Sequence, residues 1–275
     1  MSDETPAGLL KAALAADAAR PFVTFYGETE AERVELSFAT FDNWVAKTAN
    51  LLVDELAADP GDRVVLLLPL HWQTAVWLVA CWSVGLVACP ARYTDERGAD
   101  VPGTDVDIVA AGPDALDAAL ELGARETVAL SLHPLGAPLP EVPPGVIDYA
   151  TEVRGQGDRF LPYAPVDPAA PALRLGGPEL SGADLCAQAR AAAKRWDLTA
   201  SERVLSAVGF DTAFGVLASL LAPLAVGASV VLSRDGDMPE DLLVRRVTTE
   251  RVTAVAGIPA TGLGCRSLPT PSEVE

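Results

Sequence analysis

Hydrophobic and polar positions along the chain follow two alternating periods. Phe22 to Tyr26 and Arg33 to Leu36 are short β-prone runs on either side of Gly27-Glu28-Thr29, which predicts a hairpin. Behind them Phe38, Phe41, Val45, Ala49, Leu52 and Leu56 recur at three- and four-residue steps. They form one apolar stripe on a helix that Ser37 caps and Pro60-Gly61 ends. No charged residue occurs from Val64 to Ala91, a run long enough to suggest a membrane span. Pro69, His71 and Gln73 divide it instead into a strand (64–68), a turn, a helix (73–84) and the run Leu86-Val87-Ala88. Those pieces predict a buried β-α-β unit, and their continuous apolar strands imply a sheet covered on both faces.

The alternation continues with a strand at 105–110, a helix at 114–122 and a strand at 127–132. A Pro/Gly-rich stretch over 134–171 has weak periodicity and reads as a connection or surface excursion. Beyond it come a strand at 172–175, a helix at 181–196 opened by a Ser181–Asp184 capping box, and a strand at 203–207. A helix at 213–224, a strand at 229–232, a helix at 239–249 and a strand at 252–256 complete the pattern. The predicted fold class is α/β, doubly wound, with largely parallel sheets flanked by helices. The predicted organisation is a first α/β subdomain with an N-terminal hairpin over 1–133, the connection over 134–171, a second α/β subdomain over 172–261 and a flexible tail over 262–275.

Composition narrows the functional classes. The 275 residues are 50% hydrophobic and carry a formal charge of −18, which excludes wholesale disorder. That charge repels nucleic acid and anionic membrane surfaces, and the basic residues are scattered, with Arg245-Arg246 the densest pair. Cys81, Cys89, Cys186 and Cys265 show no CxxC spacing and read as reduced core residues. Asp3, Glu4 and Asp17 stand where a signal peptide would have a basic end and an apolar run, so the expected compartment is the cytoplasm. Two histidines and unclustered cysteines predict no metal site. Ser131 and His133 could be joined to a carboxylate as a triad on paper, but no nucleophile elbow accompanies them. Trp72, Trp77 and Trp82, five residues apart, drift around a helix and read as packing, with an exposed interface as the alternative. Asp235, Asp237, Glu240 and Asp241 form a charged loop entering a helix, where acidic residues favour the N-terminal dipole.

Several blocks then carry a family resemblance. Ser37-Phe38 opening a long helix through Ala49-Asn50-Leu51-Leu52, followed by Pro60-Gly61-Asp62-Arg63-Val64, Leu67-Leu68-Pro69 and Gly85-Leu86-Val87-Ala88-Cys89-Pro90, resembles the start of the adenylate-forming superfamily. That superfamily holds acyl-CoA synthetases, peptide-synthetase adenylation domains and luciferases. Arg203-Val204-Leu205-Ser206, Phe214-Gly215, Leu220 to Leu224, Gly227 to Leu232 and Gly257-Ile258-Pro259-Ala260 are similar to the middle of an acyl-CoA synthetase, in the family's order.

The departures bear on function. The family's Ser/Thr/Gly-rich phosphate loop ending in Pro-Lys would lie before the helix at 181, where this chain has Gly176-Gly177-Pro178-Glu179-Leu180. Gly176, Gly177 and Ser181 are the candidates for a vestigial nucleotide loop, and Glu179 has the wrong sign for an anion cradle. At the family's aromatic-His motif the matching position is Thr212. Asp211 beside Phe210 offers an alternative likeness to the Phe-Asp pair of amino-acid-adenylating members, or Asp211 and Thr212 simply cap the next helix. The resemblance thus proposes Asp211, Thr212, Phe214 and Pro259 as substrate-binding candidates. It would also call for adenine and ribose motifs downstream of Pro259 and a domain with an adenylation lysine. None is present, and Lys11, Lys47 and Lys194 sit in unlike contexts.

The resulting expectation is a noncatalytic, acyl-CoA-synthetase-like protein binding a small acyl or nucleotide-like ligand or a protein partner, with no cofactor. Two alternatives stay open. One is a ligase fragment that uses ATP and Mg and works with a partner supplying the other half. The other is a pure interaction module acting through a protein partner or a homo-oligomer.

Overall fold

The computed structural model describes residues 4–27, 32–94, 98–101, 105–133, 136–234 and 238–270. Thr5 caps the first helix by accepting the Gly8 N–H at 3.1 Å, and α1 (Pro6–Asp17) leads into the hairpin β1 (Pro21–Tyr26) and β2 (Arg33–Ser37). The hairpin turn at Glu28-Thr29 lies outside the described residues. Ser37 accepts the Thr40 N–H at 3.1 Å and opens α2 (Phe38–Asn50), which continues as a π-helical turn over Leu51–Glu55. The predicted apolar stripe is buried along its whole length, from Phe38 to Leu56, although its last turn winds wider than an α-helix.

Next come β3 (Arg63–Leu67), α3 (Trp72–Val84), β4 (Val87–Pro90) and a small ribbon of β5 (Arg92–Thr94) and β6 (Gly98–Asp100). β7 (Ile108–Ala111), α4 (Leu116–Glu121), β8 (Glu126–Ala129), β9 (Val146–Asp148) and α5 (Tyr149–Glu152) follow. The chain then forms β10 (Pro171–Leu173), β11 (Leu180–Ser181), α6 (Gly182–Arg195) and β12 (Arg203–Ser206). α7 (Ala213–Val216) and α8 (Ala222–Val226) are joined by a second π-helical turn, and β13 (Ser229–Ser233), α9 (Glu240–Thr249), β14 (Ala254–Ala256) and β15 (Arg266–Ser267) end the order.

Two sheets result. The first runs β15-β14-β12-β13-β1-β2 and the second β11-β10-β4-β3-β7-β8-β9. Each is parallel except for one antiparallel edge pair, β1/β2 in the first and β10/β11 in the second. Neither sheet comes from one stretch of sequence: β1 and β2 join strands beyond residue 200, and β10 and β11 join strands before residue 150. The predicted boundaries at 133 and 172 therefore mark changes of composition, while in space both sheets draw on both sides.

Burial follows from this layering. Val64 and Leu66 of β3 face a shared core with Val230 and Leu232 of β13, filled by helices α1, α2, α3, α6 and α8 between the sheets. The alternate residues Val65 and Leu67 face outward beneath α4, and Val231 faces outward beneath α9. Every residue of α3 except Ser83 is buried, which explains its lack of a polar face. Trp72, Trp77 and Trp82 are each at most 2% exposed, so the Trp-rich segment is core and not a contact surface. Trp82 donates its indole N–H to the Ala172 carbonyl at 2.8 Å. No helix among the described residues is long and apolar enough to cross a membrane.

Three local expectations need revision. The 134–171 stretch supplies β9 to the second sheet and buries Tyr149, whose hydroxyl meets that of Thr48 at 2.7 Å. In the predicted tail, Arg266 and Ser267 pair with β14 and Leu268 is 2% exposed; residues 271–275 lie outside the described residues. Arg246, half of the densest basic pair, is buried, donates to Ser233 Oγ at 2.7 Å and stacks 4.4 Å over the Tyr26 ring. Glu240 and Asp241 do occupy the first turn of α9, whereas Asp235 and Asp237 lie outside the described residues.

Candidate functional site

In parallel α/β sheets the crevice lies beyond the carboxyl ends of the strands, where the strand order reverses. Here β3 is flanked by β4 on one side and β7 on the other, and β12 by β13 and β14. A cavity of about 260 Å³ lies at that place between the sheets. Its walls are Leu67 to Leu70 after β3, Ala91 to Tyr93 after β4, Gly112, Asp114 and Ala115 after β7, and Leu132 after β8. From the first sheet come Gly209 and Asp211 after β12 and Arg234 after β13. The apolar strand ends form the floor, and the charged groups come from the loops.

One ion pair joins the two sheets across this cavity. Arg92 donates from Nε and Nη2 to Asp211 Oδ2 at 2.8 and 2.7 Å. Arg92 is 66% exposed and Asp211 21%, so the pair sits at the mouth. Exposed pairs of this kind are worth at most about 1 kcal/mol, so a ligand could displace the contact at little cost. The loop bearing Asp211 is held tightly from below. Thr212 caps α7 by accepting the Gly215 N–H at 3.0 Å. A Cβ at Gly215 would lie 1.7 Å from the Gly209 carbonyl oxygen, so only glycine fits there.

Next to Leu70, His71 is fully buried and caps α3, its Nδ1 accepting the Gln73 N–H at 3.1 Å. Burial, with the Arg234 guanidinium adding to it, pushes its pKa down to about 3. The imidazole is therefore neutral at physiological pH. With Nδ1 accepting, the proton sits on Nε2, and an interaction with the Leu132 backbone offsets part of the lowering.

The other candidates fall elsewhere. Of the four substrate-binding candidates, only Asp211 lines the cavity. Thr212 is committed to its cap, Phe214 packs edge-on against Trp196 at 5.9 Å, and Pro259 is exposed beyond β14. The Gly176-Gly177 loop lies at the end of β10 with open space around both glycines, and Gly176 uses a φ of +71° to make the turn. Ser181 and Asp184 bond reciprocally as the capping box of α6. Glu179 is not a bare negative charge. Its carboxylate meets Arg63 Nη2 at 3.1 Å and Arg174 Nη1 at 3.7 Å, so this loop is closed by ion pairs. Ser131 donates to the Ala137 carbonyl and accepts the His133 N–H at 3.2 Å, the bonding of a turn. Among the described residues no group of three or more His, Cys, Asp or Glu side chains is placed to hold a metal.

Sequence reasoning missed Arg92, Asp114, Gly209 and Arg234. All four follow parallel strands directly, and a search of the residues just beyond each predicted strand end would have found them.

Known proteins resemble this chain in sequence and in fold. The profile of the AMP-binding enzyme family matches residues 10–99. A Mycobacterium tuberculosis protein described as a TIGR03089 family protein is 41% identical over 253 residues, covering 90% of this chain and 96% of that one. Three solved structures share the fold over 92% of this chain at 15–17% identity. They are a benzoate CoA ligase from Burkholderia xenovorans LB400 (TM-score 0.71), the anthranilate CoA ligase AuaEII in complex with anthranoyl-AMP (0.73) and a Brucella canis acyl-CoA synthetase (0.74). This chain spans 47–50% of the length of those three.

Proposed function

Since the chain belongs to the TIGR03089 family and has the fold of the N-terminal part of adenylate-forming CoA ligases, we propose that it is a noncatalytic member that binds a small carboxylic acid at the strand-end cavity. The observation that carries the reading is the Arg92–Asp211 pair. The mostly exposed Arg92 can exchange its contact with Asp211 for a ligand carboxylate, with Arg234 on the same wall beside Asp114. A volume of about 260 Å³ suits one aromatic ring with its acid group or a short acyl chain. The related ligases named for benzoate and anthranilate handle acids of that size.

The noncatalytic part of the reading rests on the 174–181 loop. Glu179 is ion-paired to Arg63 and Arg174, and Ser181 is bonded to Asp184, so the groups that could cradle a triphosphate are engaged with one another. The chain's formal charge of −18 further opposes a polyanionic nucleotide.

Thermal unfolding with benzoate tests the binding half. Benzoate is expected to raise the melting temperature of the chain, and Arg92→Ala to remove most of that rise while leaving the unliganded melting temperature nearly unchanged, because the residue is mostly exposed. No rise, or an undiminished rise in Arg92→Ala, would rule the assignment out.

A further inference from the structure

A second and larger cavity, of about 580 Å³, lies away from the strand ends, where α1, α2 and α3 meet the segment 158–168. That segment is a roof fastened at both ends. On one side Lys47 donates to the Gln156 carbonyl and pairs with Asp158 at 2.8 Å, and Asn50 donates to the carbonyls of Gly157 and Arg159 at 2.9 and 3.0 Å. On the other, Ala183 N–H donates to the Pro168 carbonyl at 2.8 Å. Pro162, Pro165 and Pro168 stiffen the span between, so the cavity is held open without a ligand.

The wall is largely apolar and carries four charged groups, Lys11, Asp42, Asp158 and Arg159. Half-buried Phe160 provides aromatic surface and the prolines aliphatic surface, backed by the buried Trp82, Val45 and Ala46. Of the charged groups on the wall, Lys11, Asp158 and Arg159 are exposed, and Asp158 is already paired with Lys47. Asp42 alone is drawn partly into the wall, and no described residue donates a hydrogen bond to its carboxylate. Burial pushes the Asp42 pKa up, with the Lys11 ammonium on the same wall opposing it. The net charge of −18 also raises the local concentration of cations and repels anions.

We propose that this cavity is a binding site for a small aromatic amine, its ring against Phe160 and the prolines and its ammonium group on Asp42. The site is separate from the strand-end cavity, and the two share no lining residue.

Isothermal titration at pH 7.5 with phenethylamine, 2-phenylethanol and 3-phenylpropionate tests the assignment. In Arg92→Ala, which removes acid binding at the strand-end cavity, phenethylamine is expected to bind, the alcohol to bind about tenfold more weakly and the acid not at all, a difference matching roughly one desolvated charge contact. Asp42→Asn is expected to weaken the amine about tenfold, and Phe160→Ala to weaken amine and alcohol alike by several-fold. Arg92→Ala at the other cavity should leave amine binding unchanged, which separates the two sites. Absence of amine binding, equal binding of the acid, or an unaffected amine affinity in Asp42→Asn would overturn the proposal. Should Asp42→Asn fail to fold, the ligand series and Phe160→Ala decide the matter alone.

Discussion

Glu250→Gln is expected to lower the unfolding free energy by about 3 kcal/mol, the cost of breaking a buried ion pair from one side. Glu250 is 5% exposed at the end of α9, yet it holds together three elements of the first sheet. Its Oε1 accepts from the Tyr26 hydroxyl at 2.6 Å and from Arg33 Nε at 2.9 Å, and its Oε2 from Arg203 Nη2 at 2.5 Å. The substitution removes the charge while keeping the shape, leaving the Arg203 guanidinium, whose side chain is 16% exposed, with Glu35 at 3.6 Å as its remaining acid. Replacing both members by apolar residues, Arg203→Met with Glu250→Leu, should cost less than Glu250→Gln alone, because no uncompensated charge stays buried. Urea unfolding of the three proteins measures this. A loss below about 1 kcal/mol for Glu250→Gln would show the network to be dispensable.

The second large effect is acid lability beginning near neutral pH. The His71 pKa falls from an ordinary 6.5 to about 3 on folding, so above pH 6.5 both folded and unfolded chains are neutral at this residue and stability is complete. Below pH 6.5 only the unfolded chain takes up the proton, and stability is lost at about 1.4 kcal/mol per pH unit until the pH nears the folded value. Three units below neutrality of this group the loss approaches about 4 kcal/mol. Glu250 adds to it in the same direction. Burial pushes its carboxyl up, but hydrogen bonds from Arg33, Tyr26 and Arg203 together outweigh burial and hold it below its ordinary value of 4.5. Its contribution is present above pH 4.5 and disappears as the pH falls through the folded value. His71→Asn keeps a capping oxygen for α3 and removes the titration. Urea unfolding from pH 8 to 3.5 should therefore show a slope of one proton in the parent below pH 6.5 and a nearly flat line in His71→Asn down to about pH 4.5. Parallel curves for the two proteins would contradict the role of His71.

Much of the fold was legible because its signals are local. The stripe from Phe38 to Leu56 and the Ser37 cap fixed α2, the Ser181–Asp184 box fixed the start of α6, and the uncharged run from Val64 resolved into β3, α3 and β4. Strand partnership was not legible, since pairing β1 with β13 joins residues some two hundred positions apart, and no local period reports that. Tyr149 and Arg246 were hidden for a related reason. Each is buried by contacts from other elements, to Thr48 and Trp77 for one and to the Tyr26 ring and Ser233 for the other, within stretches whose composition reads as surface.

The candidate site was legible only in outline. The family resemblance led to Asp211, but its partner Arg92 lies 119 positions away and acquires meaning only when two sheets bring their strand ends together. Glu179 shows the reverse error. Read alone it is an isolated negative charge, whereas the fold sets Arg63 and Arg174 against it and closes the loop with ion pairs.

The most direct test of a noncatalytic carboxylate binder is pyrophosphate exchange. The purified chain is incubated with ATP, magnesium, benzoate and labelled pyrophosphate, alongside the thermal-unfolding measurement on the same preparation. The expected result is no label in ATP above the protein-free background, together with a benzoate-dependent rise in melting temperature that Arg92→Ala loses. Label entering ATP with this chain alone would contradict the account, because it would show that the loop held by Glu179, Arg63 and Arg174 still positions a triphosphate for attack.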